Sequence, residues 1–576
     1  MKNFSKYGVS AAVAAVAAAS VNAAVISPND LGDAAIIPYY NVNDNYNTGF
    51  NITNTSAKTQ VVKFRFRRGT DSADALDFNI IMSPYDVWNA SIALDGDDIR
   101  LTTNDNSCTA PLSVQANGGV TVPDAGINFR ENAEEGYIEI IGMGTLLDES
   151  LPMGVNAKHQ ADGEPLDCAT VEKNFFRLDG PAGPVQNSTP ATEIVGPDAT
   201  TLGLDVPAVL ALNKTINGVH NSSATSNGEG TGSVNVFTGT EDVLKVQYFV
   251  RNRVTGLEVG DNAVHLSGFS EKPMMTNQQL LGFSNGDLQF DPFNFELPNL
   301  NQGAYFNEAA GGAATRRFAA HSGWDGTGPV DVLADPINGY LYQEVRVALG
   351  ATAIINSWGA RDLADATVNS DWVVTMPGQY AMTDAICAAY ALFDGTTKTC
   401  DEDWDDDKND LPVVLNIDYW DREEDQITVA GGGLSVSPGG TGTSNTTLPN
   451  EVNVIVWAQE DDADGVLGSQ DDLKFVFNVA DSGFDAGWAK LDVKADSGGS
   501  SVFLIGASAT PLAAGATIVP ATDAEANSGA GTETSYGQYS MVSGAVPIIG
   551  SAYWERNFGN NAAANYGRTI EHSYEN

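Results

Sequence analysis

Within Val61-Val62-Lys63-Phe64-Arg65-Phe66-Arg67-Arg68, apolar and basic side chains alternate from Val62 to Arg67. Successive side chains of a strand point to opposite faces, so Val62, Phe64 and Phe66 share one face and Lys63, Arg65 and Arg67 the other. The pattern predicts a half-buried strand with its basic side toward water. Just upstream, residues 48–54 are expected to pair with it across the turn Thr55-Ser56-Ala57-Lys58. Leu76, Phe78, Ile80 and Met82 mark a third alternating strand, and residues 87–94 a fourth; together the four predict one antiparallel sandwich. The same signature recurs at residues 137–142, 243–250, 342–349, 452–457 and 473–479, while only residues 274–281 suggest a short helix. The chain therefore reads as mainly β: several antiparallel β-sandwich (Ig-like) domains with long loops and few short helices.

Composition shifts place the divisions. Residues 181–201 are rich in Pro, Ala, Thr and Gly, and residues 430–450 are nearly free of apolar side chains. The expected domains are an N-terminal β-sandwich at 24–200, a middle β-rich domain with an acidic loop at 201–430, and a C-terminal β-rich domain at 431–576 after a Gly/Ser/Thr-rich linker. Ahead of them stands a segment that reads as a secretory signal peptide, 1–23: Lys2 and Lys6, an Ala/Val run over residues 9–19, then Val21-Asn22-Ala23. The run is too short to span roughly 30 Å of hydrocarbon. Cleavage is expected between Ala23 and Ala24, with no lipobox cysteine after it. The end of the sequence shows neither a hydrophobic tail nor a sorting motif, and its last residues do not read as an outer-membrane barrel strand. The expectation is a secreted protein that is released or held non-covalently at the cell surface.

Charge narrows the partners. The 576 residues carry 74 Asp and Glu against 29 Lys and Arg, a net −45, and loss of Lys2 and Lys6 makes the balance more acidic still. Such a surface repels nucleic acid, which is excluded as a partner, and it repels copies of itself. Two carboxylates 4 Å apart cost about 4 kcal/mol at an effective dielectric near 20. Divalent cations relieve that repulsion. Charged residues are still only 18% of the chain and 42% is hydrophobic, a globular balance rather than that of a disordered acidic polymer.

Four cysteines in an exported chain read as two disulfides. Proximity in sequence pairs Cys108 with Cys168 and Cys387 with Cys400, one of three connectivities. Neither spacing is a zinc or redox motif, and the five histidines, His159, His220, His265, His321 and His572, are too scattered to suggest a His-ligated metal.

Two acidic clusters carry a chemical reading. Glu460, Asp462, Asp464, Gly465 and Asp471 fall at positions 1, 3, 5, 6 and 12 of an EF-hand-like calcium loop. The flanking segments read as strands, so a calcium-loaded β-hairpin loop is expected, against the alternative of an exposed acidic turn. Asp401, Asp403, Asp405 and Asp407 lie in the run Asp401-Glu402-Asp403-Trp404-Asp405-Asp406-Asp407, beside Cys400. Their mutual repulsion points to calcium as the neutralising cofactor. Asp95, Asp97 and Asp98 read as a hydrated turn. No catalytic signature accompanies these clusters: Asp496-Ser497-Gly498-Gly499 looks like a protease nucleophile segment but lacks the preceding glycine, and no HExxH, nucleophile elbow, Walker loop or dinucleotide fingerprint occurs. The expected catalytic residues are none.

Gly32-Asp33, Pro38-Tyr39-Tyr40, Asn51-Ile52-Thr53-Asn54-Thr55, Leu76-Asp77-Phe78-Asn79 and Ser83-Pro84-Tyr85-Asp86-Val87-Trp88 together resemble the N-terminal region of secreted surface-layer (S-layer) proteins of marine gammaproteobacteria, as in Pseudoalteromonas. Asp371-Trp372-Val373-Val374-Thr375-Met376-Pro377, Tyr419-Trp420-Asp421-Arg422-Glu423-Glu424 and Asn565-Tyr566-Gly567-Arg568 are similar to later landmarks of that family. The resemblance implies an abundant exported protein whose copies form a two-dimensional lattice over the outer membrane. The leading expectation is thus a non-enzymatic structural protein that self-assembles with calcium, its partners being copies of itself and an outer-membrane surface component such as lipopolysaccharide. The alternative is a secreted calcium-dependent adhesin or carbohydrate-binding protein using Trp404, Tyr419 and Trp420; a secreted hydrolase stands third.

Overall fold

The computed structural model describes residues 24–122 (apart from 44, 71, 73, 111, 116 and 117), 132–172, 237–269, 348–378, 413–422, 446–495 and 546–575. Residues 300 and 345 and short strands at 177–178, 184–185, 219–220, 275–276, 304–308, 314–318 and 436–437 are also described. The fold is mainly β, and its main strands assemble two sandwiches.

In the first, the longer strands and one tied to the disulfide are β1 (Ala34–Asn41), β2 (Tyr46–Asn54), β3 (Gln60–Arg68), β4 (Asp74–Met82), β5 (Val87–Asp95), β6 (Asp98–Thr102), β7 (Cys108–Ala110), β8 (Glu135–Leu146), β9 (Leu244–Asn252), β10 (Glu258–Asn262) and β11 (Val264–Ser267). One sheet runs β11-β1-β8-β3-β4-β7 and the facing sheet β10-β9-β2-β5-β6. Between them Phe64 meets Phe50, Phe66, Phe78 and Trp88 at ring separations of 5.0, 5.0, 5.2 and 5.6 Å. Each such pair adds about 0.5–1.5 kcal/mol beyond its buried area.

The structure corrects two expectations here. β2 does not pair with β3: it lies between β9 and β5, while β3 lies between β8 and β4. The Asn54 side chain donates to the Lys58 and Ser83 carbonyls at 2.7 and 2.8 Å and accepts the Ser56 amide at 3.0 Å. It thereby fastens residues 55–58 as a corner from one sheet to the other. Nor is β3 half-buried, since all nine of its residues are buried. Its basic side faces acids of the neighbouring strands: Arg65 stands in register between Asp77 and Glu139. Lys63 forms an ion pair with Asp77, and Arg67 Nε lies 3.3 Å from Glu139. Alternation fixed which way each side chain points but not whether water reaches it, because the neutralising charges sit on other strands.

Toward the other end of the same sheet, Val61, Ile81 and Met143 join a second apolar cluster with Met153 and Ala157 of α1 (Pro152–Ala157) and Val171 of α2 (Cys168–Glu172). The expected Cys108–Cys168 disulfide is formed and ties β7 to α2. Cys387 and Cys400 lie outside the described residues.

The second sandwich uses β12 (Ala353–Asp362), β13 (Thr367–Thr375), β14 (Val413–Asp421), β15 (Val452–Ala458), β16 (Lys474–Asn478), β17 (Ala486–Ala495), β18 (Ser551–Asn557), β19 (Tyr566–Glu571) and β20 (Ser573–Glu575). β12 and β13 share three residue pairs beside their turn and then part. β12 continues into the layer β14-β17-β12-β20, and β13 into the layer β16-β15-β13-β18-β19. Trp358 from one layer stacks on Trp457 of the other at 5.0 Å, with Trp372 and Tyr419 around them. β15 and β16 are parallel, Val454 opposite Lys474. The expected hairpin is therefore a crossover, in which residues 459–473 must return to the starting end of β15.

Other expectations shift as well. Strands β9 to β11 complete the first sandwich, so strand pairing crosses the expected division near 200, and β14 and β17 pair across the one near 430. Of residues 342–349, Val345, Ala348 and Leu349 are helical, not extended. Met275–Thr276, expected in a helix, is a strand paired with Val219–His220. The two sandwiches share one continuous hydrophobic cluster that includes Phe64, Tyr39, Val466, Trp372 and Trp457.

Candidate functional site on the acidic crossover

The crossover between β15 and β16 carries the sequence-predicted calcium loop, and it lies over the seam between the sandwiches. Its acids point away from that seam. Glu460, Asp462, Asp464 and Asp471 are all exposed, and Asp471 meets Lys474 at 3.0 Å. Among the described residues no three His, Cys, Asp or Glu side chains converge as a group able to hold a metal ion. The other cluster, Asp401, Asp403, Asp405 and Asp407, lies outside the described residues, as do residues 1–23 and Asp496-Ser497-Gly498-Gly499.

The opposite side of the crossover is fastened residue by residue. Val466 and Leu467 are buried, and their amides donate to Asp371 Oδ2 of β13 at 2.7 and 2.8 Å. Gly465 has φ +73°, and a Cβ there would stand 2.6 Å from the Asp371 carboxylate. The glycine expected to turn a calcium loop also admits a buried carboxylate to the backbone. The carbonyls of Val466 and Leu467 accept hydrogen bonds from Tyr46 Oη (2.6 Å) and Asn41 Nδ2 (2.7 Å) of the first sandwich. Glu135, at the start of β8, takes the Ser469 hydroxyl at 2.5 Å, the Gln470 amide at 2.6 Å, the Tyr39 hydroxyl at 2.6 Å and the Asn43 amide group. One carboxylate from each sandwich thus grips one short stretch of the crossover, Asp371 at Val466 and Leu467 and Glu135 at Ser469 and Gln470.

Burial sets the protonation of both. It pushes Asp371 up to about 8 against the pull of its two amide donors, with Glu555 adding repulsion. Glu135 is raised to about 7, its four donors opposing the same loss of solvent. Asp371 Oδ1 has no hydrogen-bond partner. Elsewhere along the seam Tyr248 and Tyr553 share a hydroxyl contact at 2.5 Å and Thr375 Oγ1 donates to the Pro38 carbonyl at 2.6 Å.

Asp371 and Glu135 escaped the sequence reading, although a signal exists. Asp371 immediately precedes the apolar run Trp372-Val373-Val374, and Glu135 and Glu139 bracket Gly136-Tyr137-Ile138 in β8. A carboxylate inside a strand pattern marks a buried anchor more directly than a dense acidic turn does.

The remaining chemistry-bearing residues are placed as follows. Asp95, Asp97 and Asp98 occupy an exposed turn, as expected. Of the aromatic residues weighed for sugar binding, Trp404 lies outside the described residues, Tyr419 is buried against Trp358, and the half-buried Trp420 stacks on Trp488 at 3.9 Å. Ser83, Asp86 and His159 meet near α1, but Ser83 Oγ (3.1 Å) and Asp86 Oδ1 (3.8 Å) both face His159 Nδ1, while Nε2 faces Asn106 Oδ1. A relay from acid through ring to hydroxyl needs the two on opposite nitrogens. His572 lies in the core between Asn356 and the Val373 carbonyl, its basicity pushed down to about 4 by burial. No family model matches the chain, and no curated protein or solved structure matches it either.

Proposed function

We propose that this protein is a non-enzymatic, exported structural protein whose copies assemble side by side into a calcium-stabilised layer on the outer-membrane surface. The observation that carries this reading is the two-sidedness of the crossover: its backbone is held from behind by Asp371 and Glu135, while Glu460, Asp462, Asp464 and Asp471 project outward from that fixed frame. Two sandwiches joined through one core make a stiff building block. On a chain of net −45, outward carboxylates on a rigid loop hold like copies apart until a hard cation with several oxygen ligands lies between them. In this reading calcium bridges copies, each contributing one or two carboxylates, and the layer is held to an envelope component such as lipopolysaccharide through the same ions. The family resemblance in the sequence supports the lattice; the acidity and the crossover geometry support the role of the ion. Electron microscopy of the purified protein tests it: ordered sheets are expected with millimolar calcium and dispersed particles after chelation, and identical particles under both conditions would rule the reading out.

A further inference from the structure

A cleft of about 500 Å³ lies on the outer face of β9 and β10, walled on its far side by β19. Its volume falls within the roughly 300–1,000 Å³ of small-ligand sites. Its floor has an unusual make-up. Asn51, Gln247 and Asn262 stand in register across β2, β9 and β10, with Gln247 Nε2 donating to Asn262 Oδ1 at 3.1 Å. Two residues along β9, the Phe249 ring is 37% exposed and lies over Gly49, where a Cβ would come within 2.3 Å of it. Glycine at position 49 thus lets an aromatic ring lie down on the open face of a sheet. Arg568 and Thr569 form the far wall, held against the floor by the hydrogen bond from the Gly260 amide to Thr569 Oγ1 at 3.0 Å. Glu258 and Asp261 complete the lining.

We infer that this cleft binds a neutral saccharide. Carboxamides both donate and accept, which matches vicinal hydroxyls that do the same. The exposed ring offers its electron-rich face to the C–H face of a pyranose. Two residues along a strand separate the ring from the amide row by about 7 Å, so one sugar ring resting on Phe249 brings its hydroxyls to Gln247 and Asn51. Two carboxylates against one guanidinium, on a strongly acidic protein, disfavour an anionic ligand such as a phosphate or sulfate. A cleft lined chiefly by polar groups gives an apolar ligand little to exchange for the water it displaces. This site is separate from the acidic crossover, and its occupation does not require the copies to assemble.

The experiment is calorimetric titration of the full mature chain with a panel of neutral hexose and N-acetylhexosamine oligosaccharides, in calcium and again in chelator. Saturable binding is expected to at least one member. Phe249→Ala and Gln247→Ala should each weaken it tenfold or more, while Trp488→Ala, which removes an exposed aromatic of the other sandwich, leaves it unchanged. Gln247 is an exposed side chain, so its variant decides the matter even if Phe249→Ala disturbs the fold. Absence of binding across the panel, binding that survives Gln247→Ala, or an equal loss in Trp488→Ala overturns the inference.

Discussion

Asp371 is the residue on which the seam turns. Its folded carboxyl is held up to about 8 by burial, against an ordinary value near 4 in the unfolded chain. The folded state therefore holds a proton that the unfolded state has already released, and stability from this group is complete below about pH 4 and lost as pH rises toward 8. Glu135, raised to about 7, acts in the same direction over a narrower range. Asn at position 371 keeps an oxygen for the Val466 and Leu467 amides and cannot ionise. The melting temperature of Asp371→Asn relative to wild type should therefore climb between about pH 4 and pH 8 and level off above that; a difference independent of pH would contradict this. Gly465→Ala sets a Cβ against the Asp371 carboxylate in a left-handed backbone conformation. The backbone alone costs about 1–3 kcal/mol, which chemical denaturation should read as lost stability. At this scale the sequence revealed the glycine and the acids around it but not the buried carboxylates behind them, because an EF-hand spacing records which residues sit on a loop and not which side of the loop faces the core.

β3 shows how far an element can be read in advance. Its extent and its inner face of Val62, Phe64 and Phe66 follow directly from alternation, and the aromatic core is where that pattern puts it, although its neighbours are not the strand expected. The second, buried face was not legible, since Asp77 and Glu139 belong to strands that approach only in three dimensions. Removing one member of such a buried network leaves its charges out of balance: Lys63→Met should cost about 3–5 kcal/mol. The double variant Lys63→Met/Asp77→Leu should lose less than the two single changes added together, as a double-mutant cycle in urea would read. Full additivity would mean that the pair contributes nothing as a pair. The crossover between β15 and β16 carries the same lesson for topology. Two consecutive strand patterns joined by an acidic turn signal read as a hairpin, yet Val466 and Leu467 in the middle of the connection are apolar and buried, and their burial against the first sandwich draws the chain across and makes the strands parallel.

For the molecule as a whole, the mainly β class and the sandwich architecture were open to reading from periodicity, and the division into domains was not. Loop composition near residues 200 and 430 marks where the chain leaves a sheet, but not whether it returns to the same one, and here it returns both times. What results is one block of two sandwiches on a common core, bearing a net −45. Repulsion between such blocks weakens with ionic screening, whose range is about 8 Å at physiological salt. Monovalent salt alone should therefore disperse the effect of charge without ordering the copies, whereas calcium should order them. The most direct measurement is sedimentation of the purified chain through a calcium titration, beside a variant carrying Glu460→Gln, Asp462→Asn, Asp464→Asn and Asp471→Asn together. Wild type is expected to pass from single particles to large assemblies and back on chelation, while the variant, with its melting temperature retained, stays dispersed. Assembly of the variant at the same calcium concentration as wild type, or no response of wild type to calcium, would contradict the role assigned to the outward face of the crossover.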